Sequence, residues 1–338
     1  MNWVPFLEAF SDITSKYSKI PKSDFLERAT YPIIDQGRGQ IAGYFDDKSF
    51  AFDGGEVVVF GDHTRAVKFA QGPFALGADG TKVLLPREGM LPRYLYRWLQ
   101  AQDIPSLGYS RHFKLLKDLS VPVPAWEVQR RIADILDKAD ALRAKRREAI
   151  AHLDAFGQSI FHYMFSGDSK QTATLGEILK VSSGKFLPAK SMTMGGQYPV
   201  YGGNGINGFH DHYVVEEATL VVGRVGANCG AVHLTQPKSW ITDNALQVKK
   251  LRPLVDEYLL FALRQADLNQ YANVSGQPSI SGASIYRVPI SVPAFDMQQE
   301  FARRIATVEL LKTTHREQLV ELDNLFLSLR DRAFKRES

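Results

Sequence analysis

At 338 residues the chain is long enough for two domains of ordinary size, each burying its own core. A single cysteine, Cys229, excludes an internal disulfide framework. No apolar run approaches the ~20 residues of a membrane span, and Met1-Asn2-Trp3-Val4-Pro5 lacks the regions of a signal peptide, so a cytoplasmic protein with no membrane partner is expected. The net charge of +4 permits nucleic-acid binding without demanding it.

Residues 1 to about 122 read as mixed structure with short strands. Glu56-Val57-Val58-Val59-Phe60 is a strand closed by Gly61-Asp62, and Leu91 to Gln100 is a short helix with Leu91, Leu95, Trp98 and Leu99 on one side. Val121-Pro122-Val123-Pro124 ends this block, because proline neither donates to a sheet nor continues a helix. Residues 127 to 165 contain no proline and one glycine, Gly157, and predict a helix of roughly 55–60 Å at 1.5 Å per residue. Counting heptads gives the series Ile132, Ala139, Arg146, Leu153, Ile160 and its partner Ile135, Leu142, Ala149, Phe156, Tyr163, which together form a coiled-coil seam.

Residues 172 to about 294 form a second mixed block, with a strand at Thr219-Leu220-Val221-Val222 and a short helix from Glu257 to Leu268. Residues 296 to 335 predict a second long helix. Its seam is Phe301, Val308, Leu311, Leu322, Leu325 and Leu329, supported by Ile305, Leu319 and Phe326.

The second half of the chain repeats the first. Pro124-Ala125-Trp126-Glu127-Val128-Gln129 returns as Pro293-Ala294-Phe295-Asp296-Met297-Gln298, an offset of 169 residues that holds without a gap to Phe165 and Phe334. Within the blocks the register drifts: Tyr31-Pro32-Ile33 resembles Tyr198-Pro199-Val200, and Ala66-Val67-Lys68-Phe69 resembles Ala231-Val232-His233-Leu234. The expected fold class is α+β: two duplicated α/β blocks separated by two long helices that pair as an antiparallel coiled coil, each stripe burying the other. In that arrangement Arg146 and His315 meet near the middle, either as polar seam residues with Glu148 and Glu317 as acidic neighbours or as two solvated residues at a crossing.

Gly203-Asn204-Gly205-Ile206-Asn207-Gly208 matches the dinucleotide fingerprint by letters. The stretch after it is strand-like, however, whereas the fingerprint requires a helix starting at the glycines. A glycine-rich turn between strands is expected instead. Ser183-Gly184-Lys185 lacks the flanking residues of a phosphate loop, and His210 and His212 have no third metal ligand at suitable spacing. No Asn-Pro-Pro-aromatic motif of an adenine methyltransferase is present. What remains is a set of polar and cationic residues on turns. In the first block these are Gln36, Arg38, Arg65, Lys68, Arg111, His112 and Lys114. In the second they are Tyr201, Asn204, Arg224, Asn228, Gln277 and Ser279. Arg reads guanine and Asn or Gln reads adenine through paired hydrogen bonds in the major groove, while Lys and Ser more often contact phosphate.

The order block, long helix, block, long helix resembles the specificity (S) subunit of type I restriction-modification systems. The likeness is carried by Val121-Pro122-Val123-Pro124-Ala125-Trp126-Glu127-Val128-Gln129-Arg130-Arg131-Ile132 and its second copy from Ile290, by Tyr198-Pro199-Val200-Tyr201-Gly202-Gly203-Asn204-Gly205, and by Ser275-Gly276-Gln277-Pro278-Ser279-Ile280-Ser281. The resemblance implies target-recognition domains at 1–124 and 169–294 and spacer helices at 125–168 and 295–338. It also implies a non-catalytic subunit that binds a bipartite sequence in double-stranded DNA. Its partners would be two copies of a methyltransferase (modification) subunit and an endonuclease-translocase (restriction) subunit, with S-adenosylmethionine and ATP on those partners and no cofactor on this chain. In the first block, Tyr109-Ser110-Arg111-His112 takes roughly the place of the Gly276-Gln277-Pro278 stretch. Other readings are a subunit of a related restriction system with its own nuclease or methyltransferase activity, and a coiled-coil adaptor that does not bind DNA.

Overall fold

The computed structural model describes residues 2–167 and 171–334. The expected domain boundary at 168 and 169 and the last residues of the second helix therefore lie outside the described residues. The chain divides into two compact units, one of residues 1–147 with 317–338 and one of residues 148–316. These divisions fall inside the two long helices rather than at their ends.

Unit 1 carries β1 (Asn2–Pro5), β2 (Phe10–Asp12), β3 (Tyr31–Ile34), β4 (Glu56–Gly61), β5 (Val67–Gln71), β6 (Phe74–Gly77), β7 (Thr81–Pro86), helix α1 (Pro92–Gln100) and β8 (Ser120–Val123). Helix α2 (Trp126–Phe165) runs out of this unit and into the next. Unit 2 carries β9 (Thr172–Thr174), β10 (Leu179–Ser183), β11 (Tyr198–Gly202), β12 (Gly205–His210), β13 (Leu220–Gly223), β14 (Val232–Leu234), β15 (Trp240–Ile241), β16 (Ala245–Lys250), helix α3 (Asp256–Gln265) and β17 (Pro289–Ser291). Helix α4 (Phe295–Phe334) starts in unit 2 and returns to unit 1.

The two units repeat one topology. Each has a four-stranded antiparallel sheet, ordered β2-β7-β4-β5 in unit 1 and β10-β16-β13-β14 in unit 2. In each, a further sheet carries a parallel pair: β3 beside β6, and β11 beside β15. The glycine-rich stretch at 203–208 forms the β11–β12 hairpin, with Gly205 at φ +86°, a conformation glycine adopts without steric cost. No helix begins there, as the strand-like residues after it require.

The repeated Pro-Ala-aromatic-acid-apolar-Gln sequence has a packing reason. Gln129 is buried; its Oε1 accepts the Leu91 N–H at 2.9 Å and its Nε2 donates to the carbonyls of Gly89 and Pro124 at 3.1 and 3.0 Å. Gln298 repeats this, accepting the Val255 N–H at 3.0 Å and donating to the Pro293 carbonyl at 2.9 Å. Leu91 and Val255 sit at the N-caps of α1 and α3, so one side chain ties the long helix, the preceding proline turn and the short helix together. Tyr94 and Tyr258, one turn into the short helices, donate their hydroxyls to the carbonyls of Pro122 and Ser291.

Within each unit the long helices pack antiparallel. In unit 1, Arg143 Nε meets Asp323 at 2.5 Å, and Phe334 of α4 stacks near Tyr94 with centroids 5.6 Å apart. In unit 2, Lys312 meets Asp154 at 2.6 Å, and Phe165 lies 4.9 Å from Tyr258. Every one of these residues is the repeat mate of its counterpart. Lys312 is nearly buried, so its charge requires the two carboxylates, Asp154 and Glu309, that it touches.

The contact face differs from the expected seam by one position. On α2 the series Ile132, Ala139, Leu153, Ile160 faces inward wholly or in part, with Arg146 half-buried beside it. The partner series does not: Ile135, Leu142, Phe156 and Tyr163 are exposed, and Leu136, Arg143 and Gly157 turn inward in their place. On α4, Phe301 and Val308 are buried and His315, Leu322 and Leu329 are half-buried, whereas Leu311 and Leu325 are exposed. The expected supporting residues Ile305, Leu319 and Phe326 face inward wholly or in part, and Lys312, outside the expected seam, joins them. The inner face uses charged and small side chains at helix–helix ion pairs and close approaches, which an apolar heptad count passes over.

Candidate nucleic-acid interface

The turns singled out by residue type converge at one end of each unit's sheets, and both units build the convergence with one backbone scheme. In unit 1, Asp62 follows β4; its N–H donates to the Gly80 carbonyl at 2.6 Å and its carbonyl accepts the His112 N–H at 2.9 Å. In unit 2, Arg224 follows β13; its N–H donates to the Asn244 carbonyl and its carbonyl accepts the Ile280 N–H at 2.9 and 2.8 Å. Gly61 N–H bonds the Ala66 carbonyl, and Gly223 N–H bonds that of Ala231. These bonds place Asp62 at the position of Arg224 and His112 at that of Ile280. By the same count, Tyr109 corresponds to Gln277 and Arg111 to Ser279.

The chemistry on this common frame differs. In unit 2, Arg224 is half-buried, and its Nη1 donates to Ser183 Oγ at 3.1 Å and to the Asp243 carbonyl at 3.3 Å. Those two bonds anchor one end of the guanidinium on the sheet. Gly226 N–H bonds the Pro278 carbonyl at 2.9 Å, and Gln277 Nε2 lies beside Gly226, so Arg224 and Gln277 share one surface. Asn204, Asn228 and Gln277 are exposed; Ser279 is half-buried and bridges to Val225 and Asn273. Tyr201 is not a surface residue: it is buried, and its hydroxyl accepts the Gln236 N–H at 3.0 Å, with burial raising its pKa. Its ring belongs to the core under the hairpin, so it is withdrawn as a DNA contact.

In unit 1, Arg38, Arg65, Arg111 and Lys114 are exposed. Arg65 adopts φ +62° and its Nη1 donates to the Ile104 carbonyl at 2.8 Å. Gln36 is half-buried and accepts the His63 N–H at 3.2 Å, tying two turns together. Two expected contacts are corrected. Lys68 is buried, with Nζ donating to the Asp35 carbonyl at 2.8 Å and pairing with Asp35 Oδ1 at 3.4 Å. Burial lowers its pKa, and the Asp35 charge opposes that shift. His112 is wholly buried; its Nδ1 lies 2.8 Å from the Asp62 carbonyl and its Nε2 accepts the Leu107 N–H at 2.9 Å. Both ring nitrogens are thus used on backbone, which makes His112 a support for the loop rather than a ligand contact. Two acidic groups also turn inward. Asp62 Oδ1 accepts the Phe113 N–H and Asp35 accepts the Gly37 N–H at 2.8 Å, whereas Asp79 and Asp103 are exposed near the cationic side chains.

Residue-type reasoning did not single out the full exposure of Tyr109 or the bond between Arg224 and Ser183. A tyrosine reads as core until its exposure is known, and Ser183 ends a strand far from Arg224 in sequence. Cys229 is buried, and among the described residues no group of three His, Cys, Asp or Glu is arranged to hold a metal. Among the described residues no helix is long and apolar enough to cross a membrane.

Comparison with known proteins agrees with this construction. The model of the type I restriction modification DNA specificity domain matches twice, at residues 6–152 and 168–324. The type I restriction enzyme EcoprrI specificity subunit of Escherichia coli is 29% identical over 189 residues, 52% of this chain and 47% of that protein. The chain thus spans about half the length of the curated relative it matches. The crystal structure of the type I restriction-modification system S subunit from M. genitalium superposes with a TM-score of 0.68 at 17% identity, covering 100% of this chain and 97% of that one. A chain from a structure of complex assembly and conformational transition of the type I R-M system gives a TM-score of 0.52 at 15% identity, covering 100% of this chain and 98% of its own. At these identities the superpositions establish the fold, and the family model, matched across most of the chain, establishes membership: this chain belongs to the type I restriction modification DNA specificity domain family and carries the domain twice.

Proposed function

We propose that the chain is the DNA-reading, non-catalytic specificity subunit of a type I restriction-modification complex, with each unit reading one half of a bipartite sequence in duplex DNA. The observation that carries this reading is the shared backbone frame that presents unlike side chains. A duplicated binder of one half-site would keep the same residues at 62 and 224, or at 109 and 277. Here an inward-turned aspartate answers an outward arginine, and an aromatic answers an amide. Arg224 and Gln277 suit paired hydrogen bonds to base edges, and the exposed Arg38, Arg65, Arg111 and Lys114 of unit 1 suit phosphates as well as bases.

Partner docking has its own support. In unit 1, Val128 and Leu142 on α2 and Leu325 on α4 are exposed; in unit 2, their repeat mates Met297, Leu311 and Phe156 are exposed. Leu142 adjoins Arg143 and Leu311 adjoins Lys312, so the same apolar positions flank the same ion pair in each unit. A surface duplicated in this way fits two copies of one partner, which we take to be the methyltransferase subunit. On this reading S-adenosylmethionine and ATP belong to the methyltransferase and endonuclease-translocase partners, and this chain needs no cofactor.

The test is to map methylated positions in DNA from cells carrying the chain with its methyltransferase partner, together with selection of bound duplexes from a random library. A split motif with a fixed gap is expected. A contiguous motif, or sequence-independent binding, would refute the reading. Lengthening both long helices by equal whole turns is expected to change the accepted gap.

A further inference from the structure

The loop from Ile104 to His112 in unit 1 is bolted from several sides. Arg65 Nη1 holds the Ile104 carbonyl at 2.8 Å, His112 Nε2 holds the Leu107 N–H at 2.9 Å, and His63 Nδ1 lies 3.1 Å from the Tyr109 carbonyl. Asp62 receives the backbone of His112 and Phe113. Gly108, at φ +64°, makes the turn just before Tyr109. At the crest of this fixed backbone the Tyr109 side chain is 101% exposed. Among the described residues its ring and hydroxyl have no recorded contact.

A single exposed aromatic is ordinary on a protein surface. Three observations set this one apart. Its backbone is held by a buried histidine and by Asp62, so the ring is presented without freedom of the loop beneath it. Its place corresponds to Gln277, the exposed amide beside Arg224 in unit 2. Arg111 on the same loop and Arg65 beneath it are exposed, which supplies attraction for a polyanion around an apolar, planar group.

We propose that Tyr109 is a specificity-determining residue of unit 1, its ring packing against a DNA base of the half-site that unit 1 reads. Tyr109 and Gln277 are then the two versions of one reading position: an aromatic surface in one unit and a hydrogen-bonding amide in the other. The buried His112 is a positioning residue for it. A ring held on a rigid loop loses little freedom on binding, and it complements a base edge or a thymine methyl in the major groove.

This inference rests on the DNA-reading function proposed above, and one experiment separates their failures. The full chain, alone and with a type I methyltransferase subunit, is used to select duplexes from a random library, as wild type and as the Tyr109→Ala, Tyr109→Phe and Tyr109→Gln variants. Because the side chain buries nothing, all variants are expected to unfold at the wild-type temperature. Tyr109→Ala is expected to lose affinity roughly ten- to hundredfold for the wild-type site, and its selected motif to become degenerate at one position of one half only. Tyr109→Phe is expected to retain the motif, and Tyr109→Gln to change the preferred base at that position. An unchanged motif and affinity for Tyr109→Ala would overturn the assignment while leaving the DNA-reading function intact. Loss of preference in both halves would also overturn it. Absence of any split motif for the wild type would overturn the underlying reading.

Discussion

Replacing Gln129 with alanine is the sharpest test of why the repeated Pro-Ala-aromatic-acid-apolar-Gln sequence exists. The side chain is 1% exposed and makes three hydrogen bonds, to the Leu91 N–H and to the carbonyls of Gly89 and Pro124. Truncation orphans the Leu91 donor and leaves two carbonyls to be met by water. An unpaired buried donor costs about 1–3 kcal/mol, and the carbonyls, nearer solvent, cost less. The total expected is about 2–3 kcal/mol. Gln298→Ala, which loses two such bonds, is expected to cost about 1–2 kcal/mol. Two units need not unfold as one transition, so a single denaturation midpoint is a poor readout. Amide exchange resolves the effect: the Leu91 amide is expected to lose protection in Gln129→Ala and the Val255 amide in Gln298→Ala, each about tenfold per 1.4 kcal/mol. Gln129→Glu removes both donors while keeping the shape, and is expected to be at least as damaging. If Leu91 exchanges at the wild-type rate in Gln129→Ala, the keystone role of this glutamine is wrong.

Further outcomes follow from the same structure. Tyr258 is buried and its pKa is pushed up to about 12, above the unfolded value near 10, so its contribution is present below about pH 10 and is lost as pH rises toward 12. The alkaline unfolding of unit 2 should shift when Tyr258→Phe removes the titration. His233 has its pKa lowered, chiefly by burial and also by the nearby Arg264 charge. Its contribution is therefore present above the unfolded value near 6.5 and lost as pH falls below it, a dependence that a pH series of unfolding in His233→Gln should abolish. Lys68→Ala should destabilise unit 1 while leaving the salt dependence of DNA binding unchanged, whereas Arg111→Ala should reduce that slope by about one. Leu142→Asp should leave thermal stability within about 0.5 kcal/mol. It should remove one methyltransferase copy of two by native mass spectrometry, and Leu311→Asp the other.

The fold was legible where length and register carried the signal. Some forty residues without proline, repeated at a constant offset, predict long helices, and the starts of both and the end of the first fall within a residue of the expected positions. The inner face of those helices was only half legible. Ile132 and Ala139 look apolar and face inward, but Arg143 and Lys312 face inward as well. Their reason for doing so is an aspartate about 180 or 158 residues away in the chain. Residue type also misled at the turns. His112, Lys68 and Tyr201 have the chemistry of ligand contacts, yet each spends its polar atoms on nearby backbone or on Asp35. Whether a polar side chain serves a turn or a ligand depends on the partners folding brings to it, and a one-dimensional pattern does not contain them.

Unit 2 is one continuous stretch of chain, whereas unit 1 is assembled from two stretches that bracket it. The order of synthesis therefore matters. When the ribosome has released residue 316, unit 2 has everything its core requires, including Phe161 and Phe301. Unit 1, though begun first, still lacks Phe326, Leu329 and Phe334, and Tyr94, Leu136 and Arg143 wait with their covering groups unmade. Of the two units, the one begun first is thus the last to close, and a nascent chain interrupted between residues 316 and 334 would carry a finished second unit and an unfinished first.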